Sequence, residues 1–352
     1  MRDVELVETR PAPDPAPGPA PDPDPGPTTA PRGWRTWPRH RWVMAGLVVA
    51  LGLATVAFMT LEARGAWGFV LPFRGVRLLA LLLVAYAIAV STVLFQTVTD
   101  NRILTPSIMG FDALYVLLQT ALLFALGSAR LAGVDPNLRF VLEVVLMVGF
   151  AGLLFRWLFT GQRRSLHLLL LVGIILGVLF RSLSSFMQRL IDPNEFAVLQ
   201  DSFFASFNAV DPTLLGAATV MVAGVSVLAW QDRERLDVLL LGRDTATMLG
   251  VDHRRVVTRV LVVVAVLVSV STALVGPVTF FGLLVANLAY LLAGTHRHRA
   301  VVPVAVLLGA LCLVGGQTVL ERVFSLDTAL SVIIDFLGGL VLIVLLLRGG
   351  RR

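Results

Sequence analysis

Long runs of apolar residues, separated by short polar stretches, make up most of the chain beyond about residue 40. An α-helix needs about 20 consecutive apolar residues to cross the hydrocarbon core of a bilayer. The pattern therefore predicts an all-α integral membrane protein with about ten transmembrane helices. The predicted spans lie near residues 42–61, 76–97, 106–127, 138–159, 166–187, 213–230, 255–274, 278–294, 300–319 and 331–347.

The first 31 residues follow a different pattern. Ten prolines lie between Pro11 and Pro31, where they alternate with alanine, aspartate and glycine. Proline has no amide hydrogen and a fixed φ, so this segment cannot form a helix or a packed core. We expect residues 1–31 to be a disordered cytoplasmic tail and residues 32–352 to form one transmembrane domain.

The composition excludes a soluble globular protein, because 57% of the residues are hydrophobic and 15% are charged. The net charge of +6 comes from arginine alone, since the sequence contains no lysine. A phosphate-binding Walker loop requires a lysine, so any ATP that is used must be bound by another chain. The single cysteine, Cys312, excludes an intrachain disulfide and a multi-cysteine metal site. We expect no cofactor, no metal and no nucleic-acid partner.

Arginines concentrate in the loops that an even number of spans places on one side of the membrane. Examples are Arg163, Arg164 and Arg297, together with the arginines that follow the last span. Because basic loops remain in the cytoplasm, we expect both termini there, in the cell (inner or plasma) membrane of a bacterium. Arg74 and Arg77 fall on the outer side and depart from this bias.

Two apolar segments begin with proline and glycine and occupy corresponding places in the two halves of the chain. One has the sequence T-P-S-I-M-G-F from Thr105, and the other has G-P-V-T-F-F-G from Gly276. Such pairs indicate an internal inverted repeat around a central transport path. The alternative is that proline simply begins each helix, as it often does. Residues 193–208 are too polar to span and predict a short external helix.

A polar, arginine-rich stretch at residues 232–255 separates two apolar runs and must lie outside the bilayer, in the cytoplasm. Its centre has the sequence L-G-R-D-T-A-T-M-L-G-V from Leu241 to Val251. This resembles the coupling segment of binding-protein-dependent ABC importer permeases of the FecCD type, the iron–siderophore, haem and vitamin B12 group. The family pattern L-G-x-x-x-A-x-x-L-G-V is matched by Leu241, Gly242, Ala246, Leu249, Gly250 and Val251.

The resemblance implies that coupling helices within residues 236–253 contact a cytoplasmic ABC ATPase. Gly242 and Gly250 would allow the two short helices to turn tightly. Ala246 would permit close approach to a groove on the ATPase, and Arg243 and Asp244 could form ion pairs with it. The alternative is an ordinary amphipathic loop at the lipid surface.

Two further stretches extend the resemblance over nearly everything from about residue 40 onward. Residues 276–289, G-P-V-T-F-F-G-L-L-V-A-N-L-A, are similar to the family's G-P-I-x-F-V-G-L-I-V-P-H, with Ala286 and Asn287 in place of Pro-His. Residues 95–112 are a variant of a second family motif, Q-x-x-T-x-N-P-L-A-x-P-x-x-L-G. The variants look most like the branch that imports ferric siderophores, including catecholate types. The implied architecture is the type II ABC importer permease fold.

The resemblance also implies two further partners. One is an extracytoplasmic siderophore-binding protein, and the other is a second permease subunit in the membrane, which forms a homo- or heterodimer with this chain. An arginine pair before the second helix of the family faces the binding protein, and Arg74 and Arg77 keep its spacing. Arg322 is a third candidate for docking. The alternative for these arginines is that they extend from the membrane interface towards water.

Polar residues inside membrane spans are costly and often functional. We predict a translocation path that includes Gln96, Phe207, Asn208 and Asn287. In this interpretation the chain performs no catalysis and moves a ferric siderophore using ATP that a separate subunit hydrolyses.

Two other functions remain open at this point. A proton-coupled secondary transporter would use Glu143, Asp112 or Asp335, and it would leave the segment at 241–251 without a role. An integral membrane enzyme is disfavoured because the sequence has no H-E-x-x-H motif, and His296 and His298 alone make a weak metal site.

Overall fold

A computed structural model of the chain describes residues 39–61, 67–160, 166–201, 203–207, 210–322 and 330–349. The predicted tail, residues 1–31, and Asn208 lie outside these ranges. The described residues form helices and no strand, with one 3-10 turn at Pro106–Met109. The α-helices are α1 (Arg39–Thr60), α2 (Trp67–Thr99), α3 (Phe111–Leu131), α4 (Pro136–Thr160), α5 (Leu166–Gln188), α6 (Pro193–Asp201), α7 (Pro212–Gln231), α8 (Arg233–Leu239), α9 (Arg243–Met248), α10 (His253–Val275), α11 (Phe281–Ala293), α12 (His298–Arg322) and α13 (Leu330–Gly349).

Each of the ten predicted spans falls on a helix, which confirms an all-α membrane protein. Within the described ranges, eight helices are long and apolar enough to cross a membrane. Two others, α11 and the apolar part of α13 at Leu330–Val341, are shorter. The count of about ten is therefore approximate and depends on whether the short helices are included. The predicted external helix is also present as α6, whose Glu195 accepts hydrogen bonds from the backbone and side chain of Ser128 on α3.

α2 begins at Trp67, nine residues before the predicted boundary near 76. The apolar pattern fails there because Arg74 and Arg77 interrupt it. Both arginines are nonetheless accommodated by partners within the bundle, described below, so the helix continues through them. A hydropathy pattern cannot anticipate such long-range partners.

The centre of the bundle is formed by α2 and α10. Most of each helix is buried, and α10 packs on α2, α4 and α7. By contrast, α1 and α7 expose most of their apolar surface. An apolar helix with an apolar outer surface is suited to lipid as its solvent. The two central helices therefore connect the two ends of the bundle, and the outer helices form its boundary with the membrane.

The two predicted proline–glycine segments are both interruptions of helical structure. Gly110 has φ +89 between the 3-10 turn and α3, and Gly276 has φ +99 at the end of α10. Only glycine adopts this conformation without strain. The interruptions meet, because the Thr279 hydroxyl donates to Asp112 Oδ2 at 3.2 Å. Their contact fits a central path, while the inverted repeat itself stays a prediction.

Candidate functional site

The polar stretch between α7 and α10 forms a helical hairpin, α8–α9, which we call the coupling hairpin. Gly242 precedes α9 with φ +92, and Gly250 follows it with φ +80. The expectation that these two glycines permit tight turns is confirmed. A side chain at either position would strain the backbone, although nothing else lies within 4 Å of the site of a Cβ atom. The hairpin begins at Arg233, three residues before the predicted interval 236–253.

The burial of Ala246 corrects one part of the sequence interpretation. Its exposed fraction is 0%, and it belongs to the hydrophobic cluster that includes Leu236, Leu239 and α10. Ala246 therefore packs against its own chain and does not offer a surface for close approach by an ATPase. Its small side chain allows α9 to lie directly on the bundle. Any role in coupling is to hold α9 in place.

The surface that the coupling hairpin presents to its surroundings is apolar. Leu241, Met248 and Leu249 are 58%, 88% and 60% exposed. We call these three residues the apolar patch. Exposed clusters of large apolar side chains, bordered here by the exposed Arg243 and Asp244, are typical of protein interaction sites. Val251 is half-buried at the edge of the hairpin, so the eight predicted coupling residues divide into a buried part and an exposed part.

Ion pairs fix the base of the hairpin to the central helix. Asp232, which is buried, accepts hydrogen bonds from Arg235 Nη1 at 2.7 Å and from Arg259 Nη1 at 2.9 and 2.7 Å. Arg259 lies on α10, so the carboxylate joins the start of α8 to α10. A buried charge without partners would be strongly unfavourable, and the two arginines compensate it.

A second connection runs from the hairpin through His298 to α2. Asp237 on α8 accepts hydrogen bonds from the backbone N–H of His298 at 2.9 Å and from its Nδ1 at 2.6 Å. The other ring nitrogen, Nε2, lies 2.7 Å from the hydroxyl of Thr97 on α2. Because His298 begins α12, one buried imidazole joins α8, α12 and α2. We call this chain of contacts the His298 link.

The same contacts separate the two histidines considered as a weak metal site. His298 faces Asp237 and Thr97, whereas His296 Nδ1 lies 3.1 Å from Arg102 Nη2. Each imidazole therefore has its own hydrogen-bond partner on a different element.

The opposite end of the bundle contains the three arginines predicted to dock a binding protein. Arg77 Nη2 lies 2.6 Å from Glu321 Oε1, and Arg322 Nη2 lies 3.7 Å from Glu321 Oε2. Arg74 donates to the carbonyl groups of Phe58, Met59 and Leu61 at the end of α1, at 2.9 to 3.0 Å. The structure thus gathers Arg77 and Arg322 around one carboxylate and gives Arg74 a role in capping α1. Docking by these arginines stays a prediction.

Two of the predicted path residues converge on a single backbone carbonyl. Gln96 Nε2 donates to the carbonyl of Arg102 at 2.8 Å, and Asn287 Nδ2 donates to the same oxygen at 3.2 Å. Phe207 lies elsewhere, buried in the cluster that contains Val275. The structure therefore brings Gln96 and Asn287 together, but not Phe207, and the translocation path stays a prediction.

The acidic groups that a proton-coupled transporter would need are held by internal partners. Glu143 Oε1 accepts hydrogen bonds at 2.9 Å from Arg139 Nε and from Gln119 Nε2. Asp335 Oδ1 accepts from the backbone N–H of Phe280 at 3.0 Å, at the start of α11. Both carboxylates therefore have clear structural roles in joining neighbouring helices.

Several residues of the site were not identified from the sequence. Met248 is the most exposed residue of the apolar patch. It lies within the L-G-x-x-x-A-x-x-L-G-V pattern, at a position that the pattern leaves unspecified. Glu321 pairs with two of the predicted docking arginines, and its position one residue before Arg322 was an available signal. The partners of His298 are 61 and 201 residues away in the chain, and no local pattern reveals such pairs.

Comparison with known proteins places this geometry in a family. The model of the FecCD transport family matches residues 42–348. The chain is 47% identical over 305 residues to the petrobactin import system permease protein YclO of Bacillus subtilis, covering 87% of this chain and 97% of that protein. It is 37% identical over 316 residues to the petrobactin import system permease protein FatC of Bacillus anthracis, covering 88% and 89%.

More distant similarity extends to vitamin B12 permeases and to a solved structure. The vitamin B12 import system permease protein BtuC of Vibrio parahaemolyticus is 27% identical over 338 residues, covering 89% of this chain and 95% of that protein. A metal-chelate type ABC transporter, solved in an inward-facing conformation, superposes with a TM-score of 0.76 at 22% identity and covers 87% of this chain and 99% of that one. The fold and the sequence agree, and the chain belongs to the FecCD transport family.

Proposed function

We propose that this chain is the membrane-spanning permease subunit of a binding-protein-dependent ABC importer for ferric siderophores. The observation on which the proposal depends is the apolar patch, Leu241, Met248 and Leu249, on a hairpin that is firmly joined to the bundle. Exposed apolar surface is unfavourable in water unless a partner covers it. An ABC ATPase that binds the coupling hairpin would provide that cover.

ATP hydrolysis belongs to the ATPase in this proposal, and the permease performs no catalysis. The absence of lysine from the sequence supports this division, since a Walker loop cannot be formed without one. Movement of α8 would pass to α2 and α12 through the His298 link and to α10 through Asp232. These helices would then alternate access to a path between the two sides of the membrane.

The orientation follows from the hairpin. With α8–α9 in the cytoplasm, both termini are cytoplasmic, and the cluster formed by Arg77, Glu321 and Arg322 faces the outside. An extracytoplasmic siderophore-binding protein would dock near that cluster, and a second permease subunit would complete the path. The side chain of Arg77 is 12% exposed and forms an ion pair with Glu321. The arginine must therefore exchange this internal partner for a carboxylate of the binding protein.

The substrate assignment to ferric siderophores is supported by the relatives, two of which are petrobactin import permeases. The polar groups of Gln96 and Asn287 are suitable for a polar chelate that passes through the membrane. The alternative function, a proton-coupled secondary transporter, is disfavoured because Glu143 is held by Arg139 and Gln119. These contacts give the carboxylate a structural role, because they join α4 to Gln119 on α3.

The proposal is tested by removing the apolar patch without disturbing the hairpin. The double variant Met248→Asp/Leu249→Asp changes two exposed side chains and should prevent co-purification of the ATPase with the permease. The control variant is Leu190→Asp, which changes a side chain that is 59% exposed in the turn after α5, and it should retain the ATPase. Wild-type recovery of the ATPase with the double variant would exclude the hairpin as its binding site.

A further inference from the structure

A second feature at the hairpin end of the bundle lies apart from the apolar patch. It is an open groove of about 690 Å³ between the end of α4 and the start of α10. Its lining is unusual in composition, because four arginines share it with three residues that have no polar side chain. The lining residues are Gly152, Phe155, Arg156, Asp252, Arg254, Arg255, Thr258, Arg259 and Val262.

Basic side chains outnumber acidic ones among the described residues that line the groove. Arg259 is committed to the buried Asp232, with which it makes two hydrogen bonds. Asp252 is the one carboxylate among the described lining residues, and it caps α10 by accepting from the backbone N–H of Arg255 at 3.1 Å. Among the described residues of the lining, four guanidinium groups accompany a single carboxylate. The groove therefore favours an anion.

The position of these residues along their helices determines which kind of anion fits. Arg156 lies about one turn before the end of α4, and Arg254 and Arg255 lie in the first turn of α10. Val262 is seven residues further along α10, which places it about 10 Å deeper in the membrane. Gly152 is one turn deeper than Arg156, about 6 Å. Charged groups thus lie at the level of the lipid headgroups and apolar groups at the level of the acyl chains.

We propose that this groove binds an anionic phospholipid of the adjacent leaflet. The lipid phosphate would lie among Arg156, Arg254 and Arg255, where guanidinium groups can donate pairs of hydrogen bonds to its oxygens. The upper part of one acyl chain would lie along Phe155 and Val262. The volume is within the range of small-molecule sites in proteins, about 300 to 1,000 Å³.

The occupant must explain both the charge and the apolar floor. A dissolved phosphate would satisfy the arginines but would leave the floor exposed. An ATPase would approach from the aqueous side, whereas Gly152 and Val262 of the floor lie deeper along their helices, towards the middle of the membrane. A membrane lipid satisfies both conditions, and it does so whether or not the coupling hairpin binds an ATPase.

The experiment uses the full-length chain in a neutral detergent, titrated separately with dioleoyl-phosphatidylglycerol and dioleoyl-phosphatidylcholine. Bound lipid is counted by native mass spectrometry, and the midpoint of thermal unfolding is measured in parallel. Phosphatidylglycerol should bind more tightly than phosphatidylcholine, and raised salt should weaken the difference. Arg156→Gln and Arg255→Gln should each lower the affinity for phosphatidylglycerol about fivefold, the effect of one basic residue at an anionic membrane surface.

Two further variants separate a specific groove from general charge attraction. Arg297→Gln removes an exposed arginine at the same end of the bundle but outside the groove, and it should leave the affinity unchanged. Val262→Trp fills the floor without changing any charge and should also displace the lipid. Equal binding of the two lipids, or an equal loss with Arg297→Gln, would overturn the proposal.

Two remaining outcomes would assign the groove to another occupant. If glycerol 1-phosphate competes as strongly as phosphatidylglycerol, the groove binds a dissolved anion. If the purified ATPase releases the bound lipid, the groove belongs to the protein interface. Either result would contradict a lipid site.

Discussion

The His298 link gives the sharpest test of how the coupling hairpin communicates with the transport helices. Thr97→Val is nearly isosteric and removes the hydroxyl that lies 2.7 Å from His298 Nε2. The hydrogen bonds between His298 and Asp237 remain, so the hairpin should stay folded. The variant therefore interrupts the contact with α2 and leaves the contact between α8 and α12 intact.

The size of the effect follows from the burial of the link. A hydrogen bond contributes a net stabilisation of about 1 kcal/mol, and a buried group left without its partner costs about 1 to 3 kcal/mol. Both Thr97 and His298 are buried. If about 1 to 2 kcal/mol of this free energy favours the coupled movement of α8 and α2, its loss should slow transport about 5- to 30-fold. ATP hydrolysis by the assembled complex should be retained, because the variant is distant from the ATPase.

The assay compares uptake of a radiolabelled ferric siderophore with ATP hydrolysis in the same proteoliposomes. The matched control is Thr99→Val on the same helix. Its hydroxyl donates to the carbonyl of Phe95 at 2.8 Å, as that of Thr97 donates to Val93 at 2.9 Å. Both variants lose this intrahelical hydrogen bond, but only Thr97→Val loses the contact with His298 Nε2. Equal ratios of uptake to hydrolysis in the two variants would exclude a role for the contact between Thr97 and His298 in coupling.

Three further predictions follow from particular contacts. Arg77→Glu should lower the midpoint of thermal unfolding, because it leaves Glu321 beside a like charge. The exchange Arg77→Glu/Glu321→Arg should recover part of the stability but not the affinity for the binding protein. Full recovery of that affinity in a calorimetric titration would argue against direct docking by Arg77. Gly173→Ala would place a Cβ atom 2.8 Å from the backbone of the 3-10 turn and should destabilise the fold by about 1 to 3 kcal/mol. The control Gly149→Ala has nothing within 4 Å of its Cβ atom and should not lower the unfolding midpoint. Equal midpoints for the two variants would contradict the close contact between α5 and the 3-10 turn. Glu143→Gln should leave uptake sensitive to ATP and insensitive to a protonophore, and uptake that disappears in this variant while its unfolding midpoint is unchanged would favour the proton-coupled alternative.

The spans and the turns of the coupling hairpin could be predicted because both depend on local patterns. Runs of about 20 apolar residues indicate membrane helices wherever they occur. The backbone has positive φ values just before and just after α9, and these positions require glycine. The start of α2 was placed too late because Arg74 and Arg77 interrupt the apolar pattern. Their partners, at the end of α1 and on α12, are supplied by the tertiary structure.

The direction in which each motif residue faces could not be predicted. The motif identifies Ala246 and Leu249 as apolar, but the structure buries the first and exposes the second. A helix of six residues is too short for the spacing of its apolar residues to distinguish the face that packs on the bundle from the face that meets a partner. His298 illustrates the same limit, since its role depends on Asp237 and Thr97, which are distant in the sequence.

In the mechanism that we propose, a separate ATPase drives transport through this chain by way of the coupling hairpin. Its measurement is uptake of a radiolabelled ferric siderophore by proteoliposomes that contain the permease, the ATPase and the binding protein. We expect uptake to require ATP, to persist when a protonophore removes the proton gradient, and to be abolished by Met248→Asp/Leu249→Asp. Uptake that is driven by a proton gradient without ATP, and is unchanged in the double variant, would show that neither the ATPase nor the coupling hairpin drives transport.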